Sequence, residues 1–133
     1  MTRASLALQE AVIDALQPSV PIMAAVSGVY DGPPPRASFP YISVSDGSQS
    51  DRSTKTEDGR EIRLALTVWD DGEEPATLHS LMHEVEAIIA TLPRALDGWH
   101  IASLVFLRSM VVRDAAGPWA GLIEHRVRVM AVE

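Results

Sequence analysis

The sequence predicts an α+β fold in which a mainly antiparallel sheet carries two helices packed on one face. Apolar residues recur at helical spacing in residues 3–17 and 75–92, and they alternate at strand spacing in the segments between and after those two helices. The resulting order is helix, strand, strand, helix, strand, strand. Hairpin-like spacing joins the strands on each side of the second helix, which favours antiparallel pairing.

Both predicted helices have an apolar face. The first helix spreads its apolar residues over a broad face and stops before Pro18, and residues 19–26 add a short second turn of helix. The second helix begins near Pro75 and ends before Pro93. Its apolar residues fall within a stripe about 120° wide, as expected for a helix laid on a sheet. They are Leu78, Leu81, Met82, Val85, Ile88, Ile89 and Leu92.

Four segments are predicted as strands: a short one at residues 41–45 and longer ones at 61–69, 99–113 and 119–132. In the second and fourth of these, apolar residues alternate with polar or charged ones, so each strand has one core face and one polar face. Arg63 lies on the polar face of its strand, and Arg126 and Arg128 lie on that of the last strand. We therefore expect these arginines on the sheet face without helices.

Trp69 falls on the same polar face as Arg63. Two interpretations remain open for it: an aromatic side chain that covers the end of the sheet, or an anchor in a contact between subunits, where aromatic residues and arginine are enriched.

Residues 46–60 contain no large apolar side chain, and their charges nearly cancel. Such a segment can bury nothing in a monomer, so a long mobile loop between two strands is predicted. Its basic residues are Arg52, Lys55 and Arg60. We expect them to order on assembly by meeting acidic groups of a neighbouring subunit or another partner; a solvated hairpin tip is the alternative.

Composition excludes several classes of function. The 133 residues predict a single domain spanning 1–133, and the absence of cysteine excludes thiol catalysis, thiolate metal sites and disulfides. A formal charge of −7 disfavours non-specific binding of nucleic acid. Apolar runs fall well short of the roughly 18 residues that a membrane span requires, and the N-terminus has no signal-peptide pattern.

His79 and His83 are the sharpest catalytic candidates, because they lie one helical turn apart on one face. Ser80 and Met82 stand where the two common zinc-protease patterns place glutamate. The acidic groups at 70–74 and within 46–58 are explained by a helix N-terminus and by a solvated loop. We therefore predict that the protein is not an enzyme and holds no metal or cofactor.

Several segments together resemble the tail-terminator, or tail-completion, family of long-tailed phages and gene transfer agents. They are LQEAVIDALQ, then VYDGPPPRASFPYISV, the strand–turn–helix block GREIRLALTVWDDGEEPATLHSLMHEVEAIIATL, and the closing strands in GWHIASLVFLRSMVVRDAAGPWAGLIEHRVRV. Short words within them, Phe39-Pro40-Tyr41-Ile42 and Val68-Trp69-Asp70, carry the same resemblance.

The resemblance implies a structural protein without catalytic residues. Members of this family assemble as a ring, typically a homo-hexamer, at the head-proximal end of the tail tube in a virion-like particle. The ring ends tube polymerisation and joins the tail to a head–tail connector protein, and DNA passes through its centre without specific binding. Such particles assemble in the bacterial cytoplasm, and the resemblance implies no membrane partner.

Three other functions remain open from the sequence. A head-side connector or stopper ring of the same particle would share the acidic balance. A small metal hydrolase would use His79 and His83. A dimeric binding domain without a role in phage particles is the third.

Overall fold

The computed structural model describes residues 3–32, 34, 36–113, 115 and 117–132, and for residues 46 and 47 it describes the backbone alone. The structure confirms the α+β fold. The helices are α1 (Ala4–Leu16), α2 (Val20–Ala25) and α3 (Ala76–Ala90). The strands are β1 (Val29–Asp31), β2 (Tyr41–Asp51), β3 (Gly59–Asp70), β4 (Trp99–Arg113) and β5 (Trp119–Ala131).

The strands form one five-stranded sheet in the order β1-β2-β3-β5-β4. Neighbouring strands pair antiparallel except β1, which pairs parallel with β2 through residues 42–44. β1 is absent from the predicted order, because a three-residue strand is too short to show an alternating pattern. None of the helices in the described part of the chain is long and apolar enough to cross a membrane.

The core lies between the helices and one face of the sheet. Alternate residues of β2, β3 and β5 are fully buried there: Ile42, Val44, Ile62, Leu64, Leu66, Val68, Ile123, Val127 and Val129. The stripe predicted for α3 is confirmed, since Leu78, Leu81, Met82, Val85, Ile89 and Leu92 are buried and Ile88 packs against them.

Gly121 brings α3 close to the sheet in the middle of β5. A Cβ atom at this position would lie 2.5 Å from Met82 Sδ and 3.1 Å from Leu78 Cδ1. A side chain there would force the side chains of Met82 and Leu78 to move, which accounts for a glycine at this position of the strand.

The predicted loop at 46–60 is wrong in its bounds. β2 continues to Asp51 and β3 begins at Gly59, so the connection covers residues 52–58 alone. Residues 48–51 pair with 60–63 after a bulge between Asp46 and Ser48. The ladder of backbone hydrogen bonds holds this part of the hairpin, and it requires no apolar side chain.

Candidate assembly surface

The sheet face opposite the helices is uncovered in the described part of the chain, and we call it the open face. The register of β3 and β5 defines it: Arg63 lies opposite Arg126, Thr67 opposite Leu122, and Glu61 opposite Arg128. Trp69 lies on the same face, opposite Ala120. The predicted placement of Arg63, Trp69, Arg126 and Arg128 on the helix-free face therefore agrees with the structure.

One half of the open face carries four arginines, which we call the arginine group: Arg63, Arg108, Arg126 and Arg128. Arg63 and Arg126 are direct cross-strand neighbours, an arrangement in which like charges repel. Glu124 is 6 % exposed and lies beside them. Its Oε1 accepts a hydrogen bond from Arg108 Nε at 2.9 Å, and its Oε2 lies 3.5 Å from Arg63 Nη1. One buried carboxylate thus orients two arginines from the strands on each side of it.

Arg126 and Arg128 form no ion pair with any described residue, and both are exposed. The arginine group contains four positive charges, and Glu61 and Glu124 are the acidic residues in the same rows of β3 and β5. This half of the open face is therefore positive on a chain whose formal charge is −7. A positive surface on an acidic protein attracts an acidic partner.

The other half of the open face is aromatic near the β1 edge. Tyr41 and Trp69 stack with ring centroids 6.2 Å apart, and Phe39 and Tyr30 lie 5.4 and 6.0 Å from Tyr41. Trp69 Nε1 points to Ser43 Oγ at 3.4 Å. Trp69 therefore belongs to an aromatic cluster in its own chain, and the partly exposed rings of that cluster present an apolar surface.

Residues 52–58 form the tip of the β2–β3 hairpin. Local contacts occupy two of the three predicted partner-binding cations, Arg52 in the tip and Arg60 at the start of β3. Arg60 Nη1 lies 2.6 Å from Asp58 Oδ1 and 3.4 Å from Asp51 Oδ1, and Arg52 lies 3.5 Å from Glu61. Lys55 forms no ion pair with a described residue and is exposed at the tip. Lys55 is thus the cation of the tip that is most available to a partner.

Asp51 lies at the base of the tip, and its surroundings argue against a role in acid/base chemistry. Hydrogen bonds from the Ser53 hydroxyl and backbone N–H lower the pKa of Asp51, and Arg60 and Arg52 lower it further. A general acid requires a raised pKa.

His79 and His83 line a cavity of about 350 Å³ between α3 and β4, together with Met82, Glu86 and Met110. Among the described residues, no group of three or more His, Cys, Asp or Glu side chains is placed to hold a metal ion.

His125 is 2 % exposed at the floor of a second cavity of about 340 Å³. Leu104, Phe106 and Glu86 also line this cavity, and the Phe106 ring meets the imidazole edge to face at 5.5 Å. The Nδ1 atom of His125 has no hydrogen-bond partner among the described residues. Burial lowers the pKa of His125, because the charged imidazolium is poorly solvated there.

The lowered pKa of His125 predicts a loss of stability at mildly acidic pH. The unfolded chain binds a proton near pH 6.5, while the folded chain resists it, so the free energy of unfolding falls as pH drops through this range. We expect the melting temperature to fall between pH 7 and pH 5, and this fall to be smaller in His125→Gln, which does not titrate. An equal fall in both proteins would contradict the assignment to His125.

Sequence reasoning missed Arg108, because a β-bulge between Phe106 and Arg108 reverses the alternation of β4 at that point. It also missed His125, which occupies a core-facing position of β5 within a run of otherwise regular alternation. No sequence pattern distinguishes a buried unpaired histidine from a solvated one.

Residues 10–133 match the sequence profile of the family described as "Tail completion protein gp17". The chain belongs to this family. It is 26% identical over 114 residues to the tail completion protein gp17 of Bacillus phage SPP1, a match that spans 86% of this chain and 84% of the phage protein.

Two solved structures share the fold. A chain from the virion of a native gene transfer agent particle is 28% identical, with a TM-score of 0.84 over 98% of this chain and 100% of that one. The structure of bacteriophage SPP1 gp17 gives a TM-score of 0.64 at 23% identity and covers 98% of this chain and 91% of the phage protein. The likeness to the gene transfer agent chain over the whole length agrees with the family match.

Proposed function

We propose that the protein forms a homo-hexameric ring at the head-proximal end of a tail tube, where it ends tube polymerisation and joins the tail to the capsid. The similarity over nearly the whole chain to a chain of a gene transfer agent virion carries this proposal. The particle assembles in the bacterial cytoplasm, and the role is purely structural, without catalysis. Its partners are further copies of itself, the tail tube protein and a head–tail connector protein.

The charge distribution is compatible with a ring through which DNA moves. Six copies carry a formal charge of −42, six times the charge of −7 on one chain. A net acidic ring repels the phosphate backbone, so DNA passes without binding. The positive arginine group then faces protein, either a neighbouring subunit or the tube.

The position of the protein in the particle tests this function. Particles made without the protein are expected to have overlong tails and heads without tails. Antibody labelling in electron microscopy should mark the head-proximal end of isolated tails. Label on isolated capsids instead of tails would assign the protein to the head-side connector and overturn the proposal.

Charge reversal in the arginine group should separate folding from assembly. Arg126→Glu changes an exposed residue that has no ion pair in the described chain, so we expect an unchanged melting temperature within about 1–2 °C, since surface changes of this kind cost at most ~0.5 kcal/mol. Tail completion should be lost, because the positive half of the open face no longer attracts an acidic partner.

Arg3→Glu is the matched control, since Arg3 is exposed at the start of α1, away from the open face, and the charge change is the same. We expect this variant to complete tails. Normal tail completion by Arg126→Glu would show that the arginine group is only a solvated surface.

A further inference from the structure

We propose that the ring is closed by strand pairing, in which the outer edge of β4 in one copy joins the outer edge of β2 in the next copy. This inference rests on the proposed ring. It adds the surface that holds the ring together, a continuous sheet that crosses each boundary between subunits.

The outer edge of β4 is open over most of its length. Residues 94–96 fold back beside the first residues of β4. There Ile101 N donates to Arg94 O at 2.7 Å, and Leu96 N donates to Trp99 O at 2.8 Å. Beyond residue 101, no described strand pairs with this edge. A long open edge presents unpaired backbone donors and acceptors to another strand.

The exposed side chains of β4 are apolar to an unusual degree for an edge strand. Within residues 103–108, whose rows end on the open part of β2, Val105 and Phe106 are 38 and 49% exposed. Soluble proteins normally place charges on such an edge or cover it. Bulges at Ala102 and Leu107 twist this edge and limit indiscriminate pairing, but the stretch between them stays extended.

The opposite edge of the same sheet is half covered. β1 pairs with residues 42–44 of β2, and Gly32 N donates to Val44 O at 2.9 Å. From Ser45 to Asp51, no described strand lies on the outer side of β2. The chain therefore has two open edges on opposite sides of one sheet, which is the arrangement that a head-to-tail ring contact requires.

The two open edges lie at the same level along the strands and run in opposite directions. Ser50 pairs with Glu61, Glu61 pairs with Arg128, and Arg128 pairs with Ser103, so Ser50 and Ser103 end one row that crosses four strands. Ser48 and Val105 end the next row on the same face. Each pair in the order β2-β3-β5-β4 is antiparallel, so β4 of one copy meets β2 of the next antiparallel as well, without a vertical shift.

The matching level and opposite direction of the two open edges argue for a second copy as the occupant. Charge does not set the register, because Arg108 already binds Glu124 and Asp51 already contacts Arg60 within the chain.

A cavity between α3 and β4 lies beside the proposed joint. Gln49 pairs with Ile62 and therefore projects on the helix side of the sheet, and its row ends at Leu104, which lines this cavity. In the joint, Gln49 of the neighbouring copy lies beside Leu104.

Disulfide trapping tests this joint, because the chain contains no cysteine. Ser50→Cys and Ser103→Cys are combined in one chain, and particles that carry this variant are purified and oxidised. Both serines are exposed, so the change is mild. Within one chain they are separated by three strand spacings, roughly 14 Å, and cannot bond to each other. The expected result is a ladder of covalent oligomers that ends at the hexamer and collapses on reduction.

Two further variants complete the experiment. Ser48→Cys with Ser103→Cys traps a joint that is offset by two residues, and a ladder from either pair supports the inference. Ser50→Cys with Ser80→Cys is the control, since Ser80 is exposed on α3 and not at the sheet edge; it should stay monomeric. If both edge pairs stay monomeric in particles that carry the protein on their tails, strand pairing is overturned while the proposed function stands. If the unsubstituted protein is missing from the tails, the proposed function fails with it.

Discussion

Val85→Asp is expected to unfold the protein. Val85 is 0% exposed at the centre of the apolar stripe of α3, between the helix and the sheet. A carboxylate there has no described cation beside it, and burial of an unpaired charge costs several kcal/mol. This is comparable with the whole stability of a small domain, ~5–15 kcal/mol. Circular dichroism and thermal melting should show a chain without a cooperative transition at 25 °C.

Ala87→Asp provides the matched control for this substitution. Ala87 lies two residues further along α3 and is exposed, so the same carboxylate stays in water. Helix propensity alone lowers stability there by about 0.5 kcal/mol. We expect Ala87→Asp to melt cooperatively within a few degrees of the unchanged protein. A soluble, cooperatively melting Val85→Asp variant would show that a different face of α3 is buried.

The helices and the long strands of the core were predictable because burial imposes a period on the sequence. α3 must place one stripe on the sheet, so Leu78, Leu81, Val85 and Ile89 recur at helical spacing. β3 must place alternate residues in the core, which gives its regular pattern of buried and partly exposed positions. The apolar periodicity of α3 and β3 therefore indicates their conformation from the local sequence alone.

Elements without a buried side chain left no such signal. Residues 48–51 of β2 are polar and exposed, and their strand conformation depends on pairing with residues 60–63, a partner that the local sequence does not reveal. β1 likewise exists through its pairing with β2. The sequence therefore indicated a loop where the structure has a hairpin.

Regular alternation along the strands predicted only part of the open face. Regular alternation placed Arg63, Arg126 and Arg128 on the open face, where the structure has them. Arg108 follows a bulge that shifts the register by one residue, so alternation alone assigns no face to it. The contact between Arg108 and the buried Glu124 depends on the neighbouring strand and appears only in three dimensions.

The tip of the β2–β3 hairpin should be dispensable for folding and essential for tail completion. Residues 51–58 are all exposed and contribute no side chain to the core. Replacing residues 52–58 with a Gly-Ser turn removes the Arg60–Asp58 pair, and exposed ion pairs of this kind contribute about 0–1 kcal/mol. We expect the melting temperature to stay within a few degrees. In the proposed ring, the tip carries Lys55 towards a neighbouring copy or the tube, so its loss should give overlong tails or tails that fail to join heads.

A replacement of residues 52–58 by a Gly-Ser segment of the same length distinguishes an effect of the length of the tip from an effect of its side chains. This variant keeps the length of the tip but removes Arg52, Lys55 and the hydrogen bonds that Ser53 makes to Asp51 and Asp58. If neither variant completes tails, the polar side chains of the tip are required. If only the short variant fails to complete tails, the length of the tip is required. If both variants complete tails of normal length, the tip is only a connector between β2 and β3, because the surfaces that the ring needs then lie entirely on the sheet.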